Sequence, residues 1–145
     1  MSVCRSIKRF PVYTKFGTPS RKDLGNDARY LPPDTNRVYQ ETLQALNNNS
    51  PVLAGIGLRA LVETVCMEKN ASGKNLLEKI DDLAKQQILT PAGAAILHKI
   101  RTLGNTAAHE VNPHSETQLA LGMNVIEHML KDVYILHKLV AAEFD

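Results

Sequence analysis

Tryptophan is absent from this chain, and aromatic residues make up only 5% of it. A core must therefore be built mainly from Leu, Ile, Val and Ala, which suits packed helices. Cys4 and Cys66 are the only cysteines. Two isolated cysteines make neither a zinc site nor a disulfide framework, so neither a metal nor a cofactor is expected, and a reducing cytoplasm is the expected setting. Cys66 lies in an apolar run and is expected to be a buried thiol. No apolar run approaches the ~20 residues that span a bilayer, so no membrane partner is expected. The N-terminus is basic without an apolar stretch behind it, which does not read as a secretory signal. Phosphate-cradling glycine loops, internal repeats and a nucleophile beside a base are all missing. His128 and His137 are nine residues apart, not the i, i+4 spacing of a zinc pair.

What is present fits one compact domain. The length is 145 residues and apolar residues make up 43%, enough to bury about two thirds of the unfolded surface. Net charge is only +2, but it is unevenly spread: residues 1–37 carry eight Lys/Arg and three Asp, and residues 38–145 carry nine Lys/Arg and twelve Asp/Glu. A basic arm before a mildly acidic body is either a solvated tail or a contact for an acidic partner such as nucleic acid. Prolines and glycines punctuate residues 1–32, so this stretch reads as an irregular arm. Phe10, Val12, Tyr13 and Phe16 suit a short strand or a clamp on the body, and Ser20 to Asp27 reads as loop.

The helical domain is expected over 33–145. A first helix starts near Asp34, carries Val38, Tyr39, Leu43 and Leu46, and ends at Asn47-Asn48-Asn49. Ser50-Pro51 starts a second, apolar nearly all round to about Lys69, the signature of a central helix. Within it Arg59 and Glu63 are spaced i, i+4 and can pair. That pair is either an ordinary structural ion pair or a support for the polar ladder described next. A third helix buries Leu76, Leu77, Ile80, Leu83 and Ala84. A fourth follows Thr90-Pro91 and points Ile96, Leu97, Ile100, Leu103 and Ala107 inward. Ser115-x-x-Gln118 is a capping-box start for a last helix running to about Ala142, with Leu136 and Val140 in its buried stripe. The fold class is all-α, an antiparallel bundle of about five helices.

The fourth helix holds the candidate site. Arg101, Asn105 and His109 follow one another at four-residue steps, about one turn each. A cation, an amide and an imidazole thus climb one side of the helix, and of the three only His109 titrates near neutral pH. Gly104 sits mid-helix at a cost of about 1 kcal/mol against Ala, so a close helix approach or room for a ligand is expected there. The ladder is either structural, with Asn105 and His109 bonding to Arg59, Glu63 or loop backbone, or a site. His98 could extend it but reads as a surface residue.

Four blocks carry a resemblance to a known family: Tyr39-x-Glu41-x-x-x-Ala45-Leu46, Gly57-Leu58-Arg59-Ala60-Leu61-Val62-Glu63, Leu76-Leu77-Glu78-Lys79-Ile80-x-x-Leu83, and Ile100-Arg101-x-Leu103-Gly104-Asn105-x-Ala107-Ala108-His109-Glu110. Over about Pro32 to Leu139 the chain resembles the DUF4145 family, helical domains grouped with the HEPN superfamily. Many such domains have a zinc ribbon in front, and this chain has no Cys-x-x-Cys there. The resemblance implies a helical bundle that dimerises, in prokaryotic defence or toxin systems. It also implies two functions. One is a dimerisation, adaptor or RNA-binding module with RNA or another protein as partner. The alternative is a metal-independent endoribonuclease using Arg101, Asn105 and His109, supported by Arg59, Glu63 and Glu110. In active HEPN members an Arg, four to six residues and a His form the motif. The imidazole moves a proton and the guanidinium steadies the phosphate. Here seven residues separate Arg101 from His109, which sets their backbones about 12 Å apart and about 80° around the helix.

Overall fold

The computed structural model describes residues 23–110 and 114–145, with the side chain of Glu110 excluded. The strand or clamp expected at Phe10 to Phe16, and Cys4, lie outside the described residues. Those described are helical and contain no strand. A 3-10 helix, Gly25–Tyr30, precedes α1 (Pro33–Asn47), α2 (Pro51–Glu68), α3 (Leu76–Lys85), α4 (Pro91–Glu110) and α5 (Glu116–Leu130). A π-helical turn, Lys131–Ile135, joins α5 to α6 (Leu136–Phe144).

The helix ends follow from local chemistry. Ser115 and Gln118 close the reciprocal capping box: the Gln118 N–H donates to Ser115 Oγ (3.1 Å) and the Ser115 N–H donates to Gln118 Oε1 (3.0 Å). Thr90 Oγ1 accepts from the Gly93 N–H at 2.9 Å, while Ser50 holds the N-cap position of α2 without a side-chain bond. Asn49, Asn70 and Gln87 have positive φ, between 54° and 64°, just beyond α1, α2 and α3. Asn adopts that conformation more readily than most residues, so two of the three helix stops are encoded directly.

α2 is the central helix and packs against α1, α3, α4 and α5. Its buried face is Ala54, Gly55, Leu58, Leu61, Val62, Val65 and Cys66, whereas Leu53 and Met67 are exposed. Small residues set its spacing. A Cβ on Gly55 would lie 2.9 Å from Ala107 Cβ, and one on Gly57 would strike Thr42. Gly55 opposes Ala107 while Arg59 opposes Gly104, so α2 and α4 run antiparallel. One inter-helix bond ties α3 to α4, His98 Nε2 to Asp81 Oδ1 at 2.8 Å.

The N-terminal boundary differs in detail from the sequence reading. Within the stretch read as arm and loop, Leu24, Ala28 and Leu31 are buried in the main core. The Leu24 N–H also donates to Tyr39 Oη (3.1 Å), and that hydroxyl donates to Glu127 Oε2 (2.7 Å). Tyr39 is 1% and Glu127 7% exposed. Burial first, then the Glu127 carboxylate, pushes the Tyr39 phenol well above its usual range, so it stays protonated and can donate.

Four apolar positions expected inside are outside. Leu77 and Ile96 are 42% and 41% exposed, and the stripe of the last helix stops at Ile135, leaving Leu136 and Val140 exposed. The π turn explains the last case. It holds one more residue than an α turn, and one residue is about 100° of rotation. A stripe extrapolated at 3.6 residues per turn therefore points away from the core after Ile135. α6 has no buried residue.

Candidate functional site: the polar face of helix α4

α4 runs unbroken through Gly104 from Pro91 to Glu110. Ile100 and Ala107 are buried and Leu103 is half-buried, which turns Arg101, Asn105 and His109 toward the surface. Arg101 and Asn105 are half-buried and His109 is exposed.

Gly104 is where α2 comes closest. A Cβ there would overlap Arg59 Cβ and lie 3.1 Å from its Cγ and Cδ. The Arg59 stem thus lies across the α4 backbone, and the expected close approach is the reason for the glycine. Beyond the glycine, Arg59 Nη1 reaches Glu63 Oε1 at 3.0 Å, with side chains 29% and 45% exposed. Half-exposed i, i+4 pairs of this kind stabilise a helix by ~0.5 kcal/mol or less. The pair stands beside the ladder but does not bond to it. Among the described residues Arg101, Asn105 and His109 have no hydrogen-bond or ion-pair partner, and Arg101 Nε and Arg59 Nε are buried without one. Of the partners the sequence allowed to Asn105 and His109, Arg59 and Glu63 make no bond to them; the loop backbone at 111–113 lies outside the described residues. Glu110 lies outside the described side chains, so its supporting role has no geometry.

Two histidines take places the sequence did not reveal. His114 Nε2 lies 3.0 Å from the Leu103 carbonyl. A carbonyl only accepts, so Nε2 carries the hydrogen and pins the chain entering α5 to the middle of α4. The contact spans eleven residues of sequence, with no local spacing rule to announce it. His98 is half-buried against Asp81, and its Nδ1 is buried without a partner.

A separate cleft of about 450 Å3 opens between the start of α4 and the end of α5, lined by Ile96, Leu97, Val125, Met129 and Leu136 among others. It does not include Arg101, Asn105 or His109. No group of three or more His, Cys, Asp or Glu side chains among the described residues is placed to hold a metal ion. No helix among them is long and apolar enough to cross a membrane.

An all-α bundle with a cationic, amide and imidazole face on one unbroken helix is the class that fold and site define. The chain belongs to the DUF4145 family, a domain of unknown function, whose model matches residues 40–144. That stretch holds nearly all of the bundle, including the whole ladder. No curated protein and no solved structure matches it.

Proposed function

We propose that this is a HEPN-like domain of the cytoplasm that self-associates and binds RNA as a module of a prokaryotic defence or toxin-type system. Arg101, Asn105 and His109 form its contact face. The observation that carries the reading is the ladder on a continuous helix: three polar side chains in a row, none with a hydrogen-bond or ion-pair partner among the described residues. Because α4 is unbroken, Arg101 and His109 stay about 12 Å apart along the axis. They cannot close on one phosphate within a chain, whereas an extended strand offers them successive phosphates. Guanidinium and imidazolium bind such phosphates, and the amide can take a sugar or base edge.

Self-association is supported by α6, which exposes Leu136, Val140 and Phe144 at i, i+4 and i+8 on a helix with nothing buried. The ribonuclease reading is kept as a second one, because an unpaired Arg and His are the groups that RNA transesterification uses. It requires the two residues to come from different copies.

The test is retention and cleavage of labelled RNA by wild type, Arg101→Ala and His109→Ala, with EDTA present. Retention that falls steeply with salt, is lost in Arg101→Ala and leaves the RNA intact supports the binding module. Cleavage by wild type alone moves the assignment to the endoribonuclease. Neither retention nor cleavage sinks both.

A further inference from the structure

At the other end of α2 from the ladder is a second polar site of different make. Gly55 lies at the level of Ala107, and Lys69 follows it by fourteen residues, about 21 Å along the axis. There the 3-10 helix, the end of α2, the π turn and α6 enclose a pocket of about 380 Å3. Arg29, Lys69, Lys138 and His137 line it, with Tyr30 and Tyr134 as aromatic walls.

Each of the three cations Arg29, Lys69 and Lys138 lies against a ring, and of the three only Lys69 also has a carboxylate partner among the described residues. The Arg29 guanidinium lies 4.7 Å from the Tyr30 ring centre, Lys69 Nζ 5.0 Å from that of Tyr134, and Lys138 Nζ 5.9 Å from that of Tyr30. Lys138 Nζ also donates to the Tyr30 carbonyl at 3.3 Å, which ties α6 to the segment before α1. Ring faces orient a cation without cancelling its charge. Glu68 is the one carboxylate in the lining. It accepts from Tyr134 Oη at 2.9 Å and faces Lys69 at 3.6 Å. Among the described residues Arg29 and Lys138 have no carboxylate partner. Asp34, nearby in sequence at the start of α1, is paired with Arg37 at 3.1 Å.

We propose that this pocket binds the phosphate or diphosphate group of a small ligand. Three cations and an imidazole against one engaged carboxylate leave more positive charge than a single carboxylate ligand would neutralise. An Arg fork and Lys point charges are the usual pairing for phosphate. The volume lies at the low end of small-molecule sites, and the Tyr30 and Tyr134 rings supply an apolar wall beside the charge. Residues 1–22 of the chain do not complement it, because they contain six Lys/Arg and no Asp or Glu. The inference is independent of the role of α4.

The experiment is calorimetric titration of the full chain with inorganic pyrophosphate, inorganic phosphate and ADP, beside sodium sulfate as a control for general anion binding. The expected result is saturable binding of pyrophosphate, weakened at least tenfold in Arg29→Gln and in Lys138→Gln, retained in Lys138→Arg and unchanged in Arg101→Ala. ADP binding more tightly than pyrophosphate would identify a nucleotide as the source of the phosphate; equal binding would identify the phosphate group alone. The three substituted residues, Arg29, Lys138 and Arg101, are exposed or half-exposed, and matching melting temperatures for the variants establish that the fold is kept. Absence of pyrophosphate binding at millimolar concentration overturns the proposal. So does equal binding by the Arg29→Gln/Lys138→Gln double variant, or binding no tighter than that of sulfate. Loss of RNA retention in that double variant, without pyrophosphate binding, overturns it in favour of a nucleic-acid surface.

Discussion

Arg59 of α2 lies directly across Gly104 of α4, so closely that a methyl group on the glycine would overlap the Arg59 Cβ. A side-chain stem with a charged end occupies the space that any other residue at 104 would claim. The contact fixes the α2–α4 spacing and leaves the Arg59 head beside the ladder, paired with Glu63.

Gly104→Ala is therefore expected to destabilise the fold, although helix propensity alone favours Ala by about 1 kcal/mol. The obstructing atom is a Cβ attached to backbone, not the end of a flexible chain, so the helices must separate. Overpacking of this kind costs about 1–3 kcal/mol. Urea unfolding of the variant measures the balance, and a stability gain would show that α2 and α4 can move apart freely.

Arg101→Ala and His109→Ala should leave the melting temperature nearly unchanged, because neither side chain has a partner among the described residues to lose. Substitutions away from packed or bonded groups fall within about 0.5 kcal/mol of wild type. RNA retention should fall in both. A large drop in melting temperature in either variant would return the ladder to a structural role.

Tyr39→Phe removes one donor and one acceptor at once. The Glu127 carboxylate loses a buried hydrogen bond and the Leu24 N–H loses its acceptor. Leaving buried polar groups short of partners costs about 1–3 kcal/mol. Calorimetric unfolding should show that loss, and hydrogen exchange should quicken at the Leu24 amide while amides buried on α2 open only with the whole domain.

Stability should decline in alkali. Burial first pushes the Cys66 thiol from its usual 9.0 up to about 11. Burial first, then the Glu68 hydrogen bond, raises the Tyr134 phenol, and Tyr39 is raised in the same sense. These groups keep their protons in the folded chain while the unfolded chain releases them, so the unfolded state gains as pH rises. Their contribution is complete below about pH 9 and falls above it, by up to ~1.4 kcal/mol per pH unit for each group. Urea midpoints from pH 8 to 11 test this. Cys66→Ala should remove the part of the slope that begins near pH 9 and leave the tyrosine part, which begins near 10.

Helix positions, the capping box and the buried thiol were legible because each depends on residues close in sequence. Thr90 and Ser115 cap where expected. The ladder was legible too, since its three members share one helix. What it faces was not. His114 meets Leu103 across eleven residues, and Tyr39 meets Glu127 across eighty-eight. Arg29, Lys69 and Lys138 come from three separated elements and share no spacing. Leu136 and Val140 were placed inward because the 3.6 period was carried through residues that form a π turn. Nothing in Lys131-Asp132-Val133-Tyr134-Ile135 breaks a helix by composition, so the shift in phase has no local signature.

That turn separates two engineering problems for this chain. Upstream of it, the stripe Leu119, Met123, Ile126 and Leu130 of α5 is committed to the bundle core. Downstream, no side chain of α6 is buried, and Lys138 ties the segment back to the Tyr30 carbonyl. Loss of a single residue between Lys131 and Ile135 would turn the terminal segment by about 100° and present a different face of α6, and it would force Val133, Tyr134 and Ile135 to repack in the core.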